Sequence, residues 1–179
     1  MLGNETLWDV ARQCHDVLRA AEIPHAVAGG VAVCLHGYQR NTVDLDLVAR
    51  ADDADVIRTA LDGAGYQWSD TNREFRSPSG VAIQFLLTGK RAGQGSEVWF
   101  SDPGDESNVV ELEGLPALSL ARLIETKIAC GEGNPRRTHK DFADVVELIA
   151  IHSLDKSFAR HLHRSVRKTF RQLVQNANS

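Results

Sequence analysis

Cysteines are few in this sequence, and long apolar runs, internal repeats and low-complexity stretches are missing altogether. Cys14, Cys34 and Cys130 lie far apart, form no CxxC pair and make an odd count. That argues against a disulfide framework or a thiolate metal site and for buried free thiols. Apolar stretches such as Ala26 to Leu35 are too short and too interrupted to span a bilayer. The opening residues Met1 to Glu5 lack the basic start and apolar core of a signal peptide. A cytoplasmic protein with no membrane partner is expected. What is present, 42% hydrophobic and 25% charged residues in a chain of 179, is ordinary globular composition.

The formal charge of −4 is unevenly spread. From Asp155 onward Lys156, Arg160, Arg164, Arg167, Lys168 and Arg171 stand against a single acid, a net of +5, so the first 154 residues carry −9. Such a tail is either a solvated helix face or a docking surface for an acidic partner such as nucleic acid.

Hydrophobic periodicity predicts an amphipathic helix over residues 5–22, with Leu7, Val10, Cys14 and Leu18 on one stripe. Ala26-Val27-Ala28 reads as a strand running into the Gly29-Gly30 turn, followed by a short helix from Val31 to Gly37. Val43 to Val48 alternates strictly and predicts a strand. A helix over 52–64 should bury Val56, Ile57, Ala60 and Leu61. Strands are expected at 66–68, 74–76 and 81–87, with a turn at Pro78-Ser79-Gly80, then a long loop over 88–108 and a strand at 109–112. From Leu115 onward the pattern is helical, with a break at 131–135 and a third helix over 156–175. The expected fold is α+β, a mixed sheet flanked by helices, with a core over 1–114 and a C-terminal helical part over 115–179.

Two residues in that plan need a reason. Asp is a poor strand former, yet Asp44 and Asp46 occupy one short strand. Alternation sets both on one face and turns Val43, Leu45 and Leu47 to the core. Two neighbouring carboxylates repel each other unless a cation sits between them, and such hard oxygen ligands suit Mg²⁺. A half-exposed amphipathic strand would explain the pattern equally well. The glycines decide between the two. Gly29-Gly30 joins a strand to a helix, where missing side chains and free amides favour a phosphate. It stands thirteen residues before the Asp-Leu-Asp strand, so one ligand can meet both.

Ala28-Gly29-Gly30 followed by Asp44-Leu45-Asp46 resembles the glycine and Asp-x-Asp signature of the DNA polymerase β-like nucleotidyltransferase superfamily. The fuller run through His36-Gly37 and Arg40-Asn41-Thr42-Val43, with Lys127 to Ile149 later, is similar to its AbiEii-type branch. The resemblance implies Mg²⁺-dependent transfer of a nucleoside monophosphate from an NTP to an RNA, protein or small-molecule acceptor. A toxin of a toxin–antitoxin pair is one such role. Asp44 and Asp46 would hold the metal, and Gly29 and Gly30 would cradle the phosphates. Arg40 and Thr42 either steady the metal strand or contact phosphate. Lys127, set in an apolar stripe between Ile124 and Ile128, either reaches the triphosphate or snorkels to solvent. Lys140 is a candidate for phosphate contact. Thr138 with Asp141 fits a capping box, and His36 either packs or lines the pocket. RNA, particularly tRNA, or an antitoxin protein is the partner implied at the basic C-terminal helix.

The sequence departs from the superfamily at one place. A third carboxylate is expected on a later strand, and the residue that aligns there is Gln84. Glutamine can offer a carbonyl but cannot act as a base. Either Asp70 or Glu74 substitutes, or transfer is slow or lost. The alternative to an enzyme is therefore a catalytically impaired nucleotide-binding or regulatory module.

Overall fold

The computed structural model describes residues 4–179, so part of the opening segment read for a signal lies outside the described residues. Helix α1 (Asn4–Ala20) buries Leu7, Val10, Ala11, Cys14 and Leu18 along one face, the stripe that its spacing predicts. It is followed by β1 (His25–Ala28), α2 (Gly29–Leu35), β2 (Leu45–Ala49) and α3 (Ala54–Gly63). Then come β3 (Gln67–Ser69), β4 (Glu74–Arg76), β5 (Ala82–Leu87), β6 (Val109–Leu112) and β7 (Leu115–Leu118). Helices α4 (Leu120–Gly133), α5 (Thr138–Ile151) and α6 (Arg167–Ala177) close the chain.

All the strands join one mixed sheet in the order β3-β4-β5-β2-β1-β7-β6. In it β2 runs antiparallel to β1 and parallel to β5. Helix α1 packs on α3, α4 on α5, and α5 on α6. The expected mixed sheet flanked by helices is the observed fold. Leu45, Leu47, Ile83, Leu115 and Ile124 lie in one continuous core, each contributing about 2 kcal/mol by leaving water.

Several local expectations need correction. Strand β2 starts at Leu45, so Asp44 lies just before it, and Val43 is 66% exposed rather than in the core. The reason is ladder length: β1 has four residues, and its last pair is Ala28 with Asp46. Val43 has no neighbouring strand to stand against, and alternation alone cannot bury it. On α3, Ile57 and Leu61 are buried but Val56 is 50% exposed.

The segment at 115–118, expected to be helical, is β7, paired with β6 through a Glu113-Gly114 turn. Both turn residues have positive φ, 51° and 78°, the conformation of a tight two-residue hairpin turn. The boundary expected at residue 114 thus falls inside a hairpin of the sheet.

The single helix expected over 156–175 is broken into two 3-10 turns and α6. The break is at Leu162 and His163, where the extended chain lets the His163 amide donate to Glu125 Oε2 at 2.7 Å. A buried carboxylate draws the backbone out of the helix.

Candidate nucleotide site at the end of β2

A cleft of about 440 Å³ opens where β1 passes into α2 and β2 begins. Ala28, Gly29, Gly30, Arg40, Thr42, Asp44, Asp46 and Gln84 line it from the sheet side, and Lys127, Arg137, Lys140 and Asp141 from the helices. Of the residues singled out in the sequence, Gly29, Gly30, Arg40, Thr42, Asp44, Asp46, Gln84, Lys127 and Lys140 therefore border one cavity.

The register explains the sheet side. Asp46 sits between Ala28 of β1 and Gln84 of β5, so β1 and β5 flank it directly. Gly29 has φ +59, and a Cβ there would fall on the Asp46 carboxylate. At Gly30 a Cβ would meet the Thr42 hydroxyl and lie 3.1 Å from Arg40 Nη2. Both glycines are thus dictated by close approach, and the first also by backbone conformation.

On the helix side Lys127, 5% exposed, lies 2.9 Å from Asp141 Oδ1 and 2.8 Å from Asp144 Oδ2. Arg40 Nε and Nη2 donate to the two Asp144 oxygens at 2.6 and 2.9 Å, and Arg137 Nε donates to Asp141 at 3.2 Å. Lys140 is exposed on the rim.

The model of the aminoglycoside-2″-adenylyltransferase family matches residues 10–145. The chain belongs to that family. The branch expected from sequence, the AbiEii type, is not the one that the family model matches. No curated protein matches the chain. Among solved structures, a candidate nucleotidyltransferase of Thermotoga maritima is 20% identical and superposes with a TM-score of 0.56, over 80% of this chain and 96% of its own. ANT(2″)-Ia, solved in complex with adenylyl-2″-tobramycin, is 10% identical with a TM-score of 0.56, over 97% and 99%. The lincosamide adenylyltransferase LnuA, solved with lincomycin bound, is 17% identical with a TM-score of 0.51, over 80% and 96%. These likenesses are in fold.

In this family member the sheet-side acids have no bonded cation or hydrogen-bond donor among the described residues. Asp44 is exposed and Asp46 half-buried. Burial raises the Asp46 carboxyl above the usual range, the nearby Lys127 charge pulls it back, and Asp44 pushes it up again. Two oxygen donors under that strain fit a hard divalent cation. Asp44 and Asp46 are the residues that would hold such an ion, and Mg²⁺ commonly completes its shell with water and substrate phosphate.

Gln84 does not point into the core. It is exposed, and its Nε2 donates to Glu74 Oε2 at 3.4 Å. Glu74 itself is buried and paired to Arg76 at 2.6 Å, and Asp70 accepts the Trp68 indole N–H at 2.7 Å. Neither acid lines the cleft, so neither replaces the expected third carboxylate there.

The capping box is also corrected. Thr138 is the first residue of α5 rather than its cap, and its hydroxyl donates to the Gly131 carbonyl at 2.6 Å. Asp141, fully buried, is left to Lys127 and Arg137. His36 is packed, bonded to the Leu118 carbonyl at 2.8 Å, and the Nε2 of His152 bonds the His36 carbonyl.

Arg91 and Phe100 also line the cleft, from the 88–108 loop, and sequence reasoning missed them. Nothing local marks them in a segment rich in glycine and serine. Asp144 does not line it, yet it is bonded to two residues that do.

Proposed function

We propose that the protein transfers a nucleoside monophosphate from an NTP to a hydroxyl acceptor, with Mg²⁺. The observation that carries this reading is the pair Asp44 and Asp46, without a bonded partner among the described residues and set against Gly29 and Gly30 at the start of α2, where no side chain fits. Asp44 and Asp46 would hold the metal. A bound Mg²⁺ would neutralise charge on the triphosphate and on the departing pyrophosphate. Gly29 and Gly30 let the phosphates approach the backbone, and Thr42 offers a hydroxyl beside them. Arg40, Lys127 and Lys140 supply positive charge to oxygens that gain negative charge as the bond to phosphorus breaks. Family membership and the adenylyltransferase neighbours support the reaction class.

The acceptor is read from charge. The carboxylates lining the cleft are Asp44, Asp46 and Asp141, the last already buried against Lys127. The rim carries Arg91, Arg137 and Lys140 instead. That balance favours a phosphate-bearing acceptor such as RNA over a polycation such as an aminoglycoside. The basic segment after Asp155 is where such an acceptor, or an antitoxin protein in a toxin–antitoxin pair, would dock.

One observation favours a second reading. Gln84 stands beside Asp46 where a general base would be needed, and neither Asp70 nor Glu74 lines the cleft. A nucleotide-binding module without transfer would keep everything else. Incubation with each labelled NTP, Mg²⁺ and cell extract separates the two. Label transfer lost in Asp44→Ala and Asp46→Ala supports the enzyme, whereas nucleotide binding with no transfer under any condition supports the module.

A further inference from the structure

Asp144 borders no part of the cleft, yet two of the cleft's cations depend on it. It is 1% exposed. Arg40 grips both its oxygens with the fork of Nε and Nη2, and Lys127 Nζ sits 2.8 Å from Oδ2. The same Nη2 stands over Gly30, 3.1 Å from where a Cβ would be. One guanidinium nitrogen therefore fills the space beside Gly30 where a side chain would start and holds Asp144 on its other side.

Arg40 needs that hold because its own backbone is not in a helix or strand: residues 38–44 form the loop between α2 and β2. Its one other side-chain hydrogen bond goes to the neighbouring Asn41 carbonyl at 3.0 Å. A long arginine on such a loop would otherwise spread over many rotamers and lose that freedom on binding. A bidentate grip on a buried carboxylate removes the freedom beforehand. Asp144 is also an acid, and it weakens the positive field that a phosphate would feel. Two acids, Asp141 and Asp144, are shared among Arg40, Lys127 and Arg137. The group stays cationic by one charge, so orientation is gained while a net attraction remains.

We propose that Asp144 is a positioning residue: it sets Arg40 above Gly30 and Lys127 beside Asp141, so that a triphosphate meets both cations already in place. This rests on the nucleotide-site reading above. It also gives α5 a part in the site although the phosphate turn is more than a hundred residues earlier.

The test is calorimetric binding of ATP with Mg²⁺ to the full chain, in wild type, Asp144→Asn, Arg40→Gln and the double variant. Each single change should weaken binding on the order of tenfold. The double should lose less than the sum of the two singles, because the Arg40–Asp144 contact is already gone in each. A merely structural Asp144 would lower the melting temperature and leave the affinity of the folded chain alone. Arg40→Lys keeps the charge but loses the fork, so it should lose most of the same affinity, and it decides the matter if Asp144→Asn does not fold. Wild-type or tighter affinity in Asp144→Asn, additive losses in the double variant, or full affinity in Arg40→Lys would overturn the proposal. Failure of wild type to bind ATP would instead sink the nucleotide-site reading, and the proposal with it.

Discussion

The two walls of the cleft hold charge in opposite ways. On the sheet wall Asp44 and Asp46 have no bonded partner among the described residues, and burial raises the Asp46 carboxyl above the usual range. On the helix wall Asp141, and behind it Asp144, are almost fully buried, and each is bonded to two cations. The helix wall is complete in itself and serves as a rigid frame. The sheet wall would be completed by the proposed metal and nucleotide. The contrast teaches where stability and function should separate, since removing an unpaired acid relieves repulsion while removing a member of a buried network strands its partners.

The largest effect on function should come from the sheet wall. Asp46→Ala is expected to lower nucleotidyl transfer at least ~100-fold, the scale of losing one transition-state contact. Its thermal melt should stay at or slightly above wild type. A large stability loss there would break the comparison. Lys127→Met is the converse. It leaves Asp141 and Asp144 to arginines alone, and should cost about 3 kcal/mol, seen as a Tm fall of roughly 6–12 °C. A melt within a degree or two of wild type would show that the helix wall is not the frame. Gly29→Ala combines both losses, because its methyl would meet the Asp46 carboxylate at a backbone angle that alanine tolerates poorly. Circular dichroism should show a folded, less stable chain that fails to bind ATP.

Gln84→Asp sharpens the sheet wall further by adding a third acid beside Asp46. If transfer is limited by the missing base, its rate should rise about tenfold or more, with a small stability loss from like charges. An unchanged rate would mean that Gln84 is not what limits the site. The smallest effect concerns neither wall. Burial holds His25 and His36 below the usual histidine range, so both are neutral in the fold. Their contribution is complete above the unfolded value near 6.5 and is lost as pH falls below it and through the lower folded values. The Tm should drop between pH 7.5 and pH 5, and less so in His36→Gln, whose amide can still donate to the Leu118 carbonyl.

The contrast between the walls also marks what could be read in advance. Gly29-Gly30 and Asp44-Leu45-Asp46 are short-range patterns, and the chain carries their chemistry on its face. Gln84 was found through the resemblance, as the residue aligned with the expected third carboxylate in an otherwise apolar strand. Lys127 was visible as an oddity in an apolar stripe, but its partners were not. Asp141 had a sufficient local explanation as a capping acid, and only packing of α4 on α5 shows that Lys127 claims it. The pairing of Arg40 with Asp144 spans 104 residues and leaves no local trace. Strand β7 was missed because Leu115 to Leu118 runs almost directly into α4. The Glu113-Gly114 turn and the Ser119 cap, whose side chain accepts the Arg122 amide, were the available clues.

Asp44, Asp46 and the two glycines are proposed to form a metal-dependent nucleotide site. Titration of ATP into the full chain with and without Mg²⁺, in wild type and in Asp44→Ala/Asp46→Ala, tests it most directly. Saturable binding that needs Mg²⁺ and disappears in the double variant, with both proteins equally folded, is the predicted result. ATP binding that ignores Mg²⁺ and survives loss of both acids would contradict it.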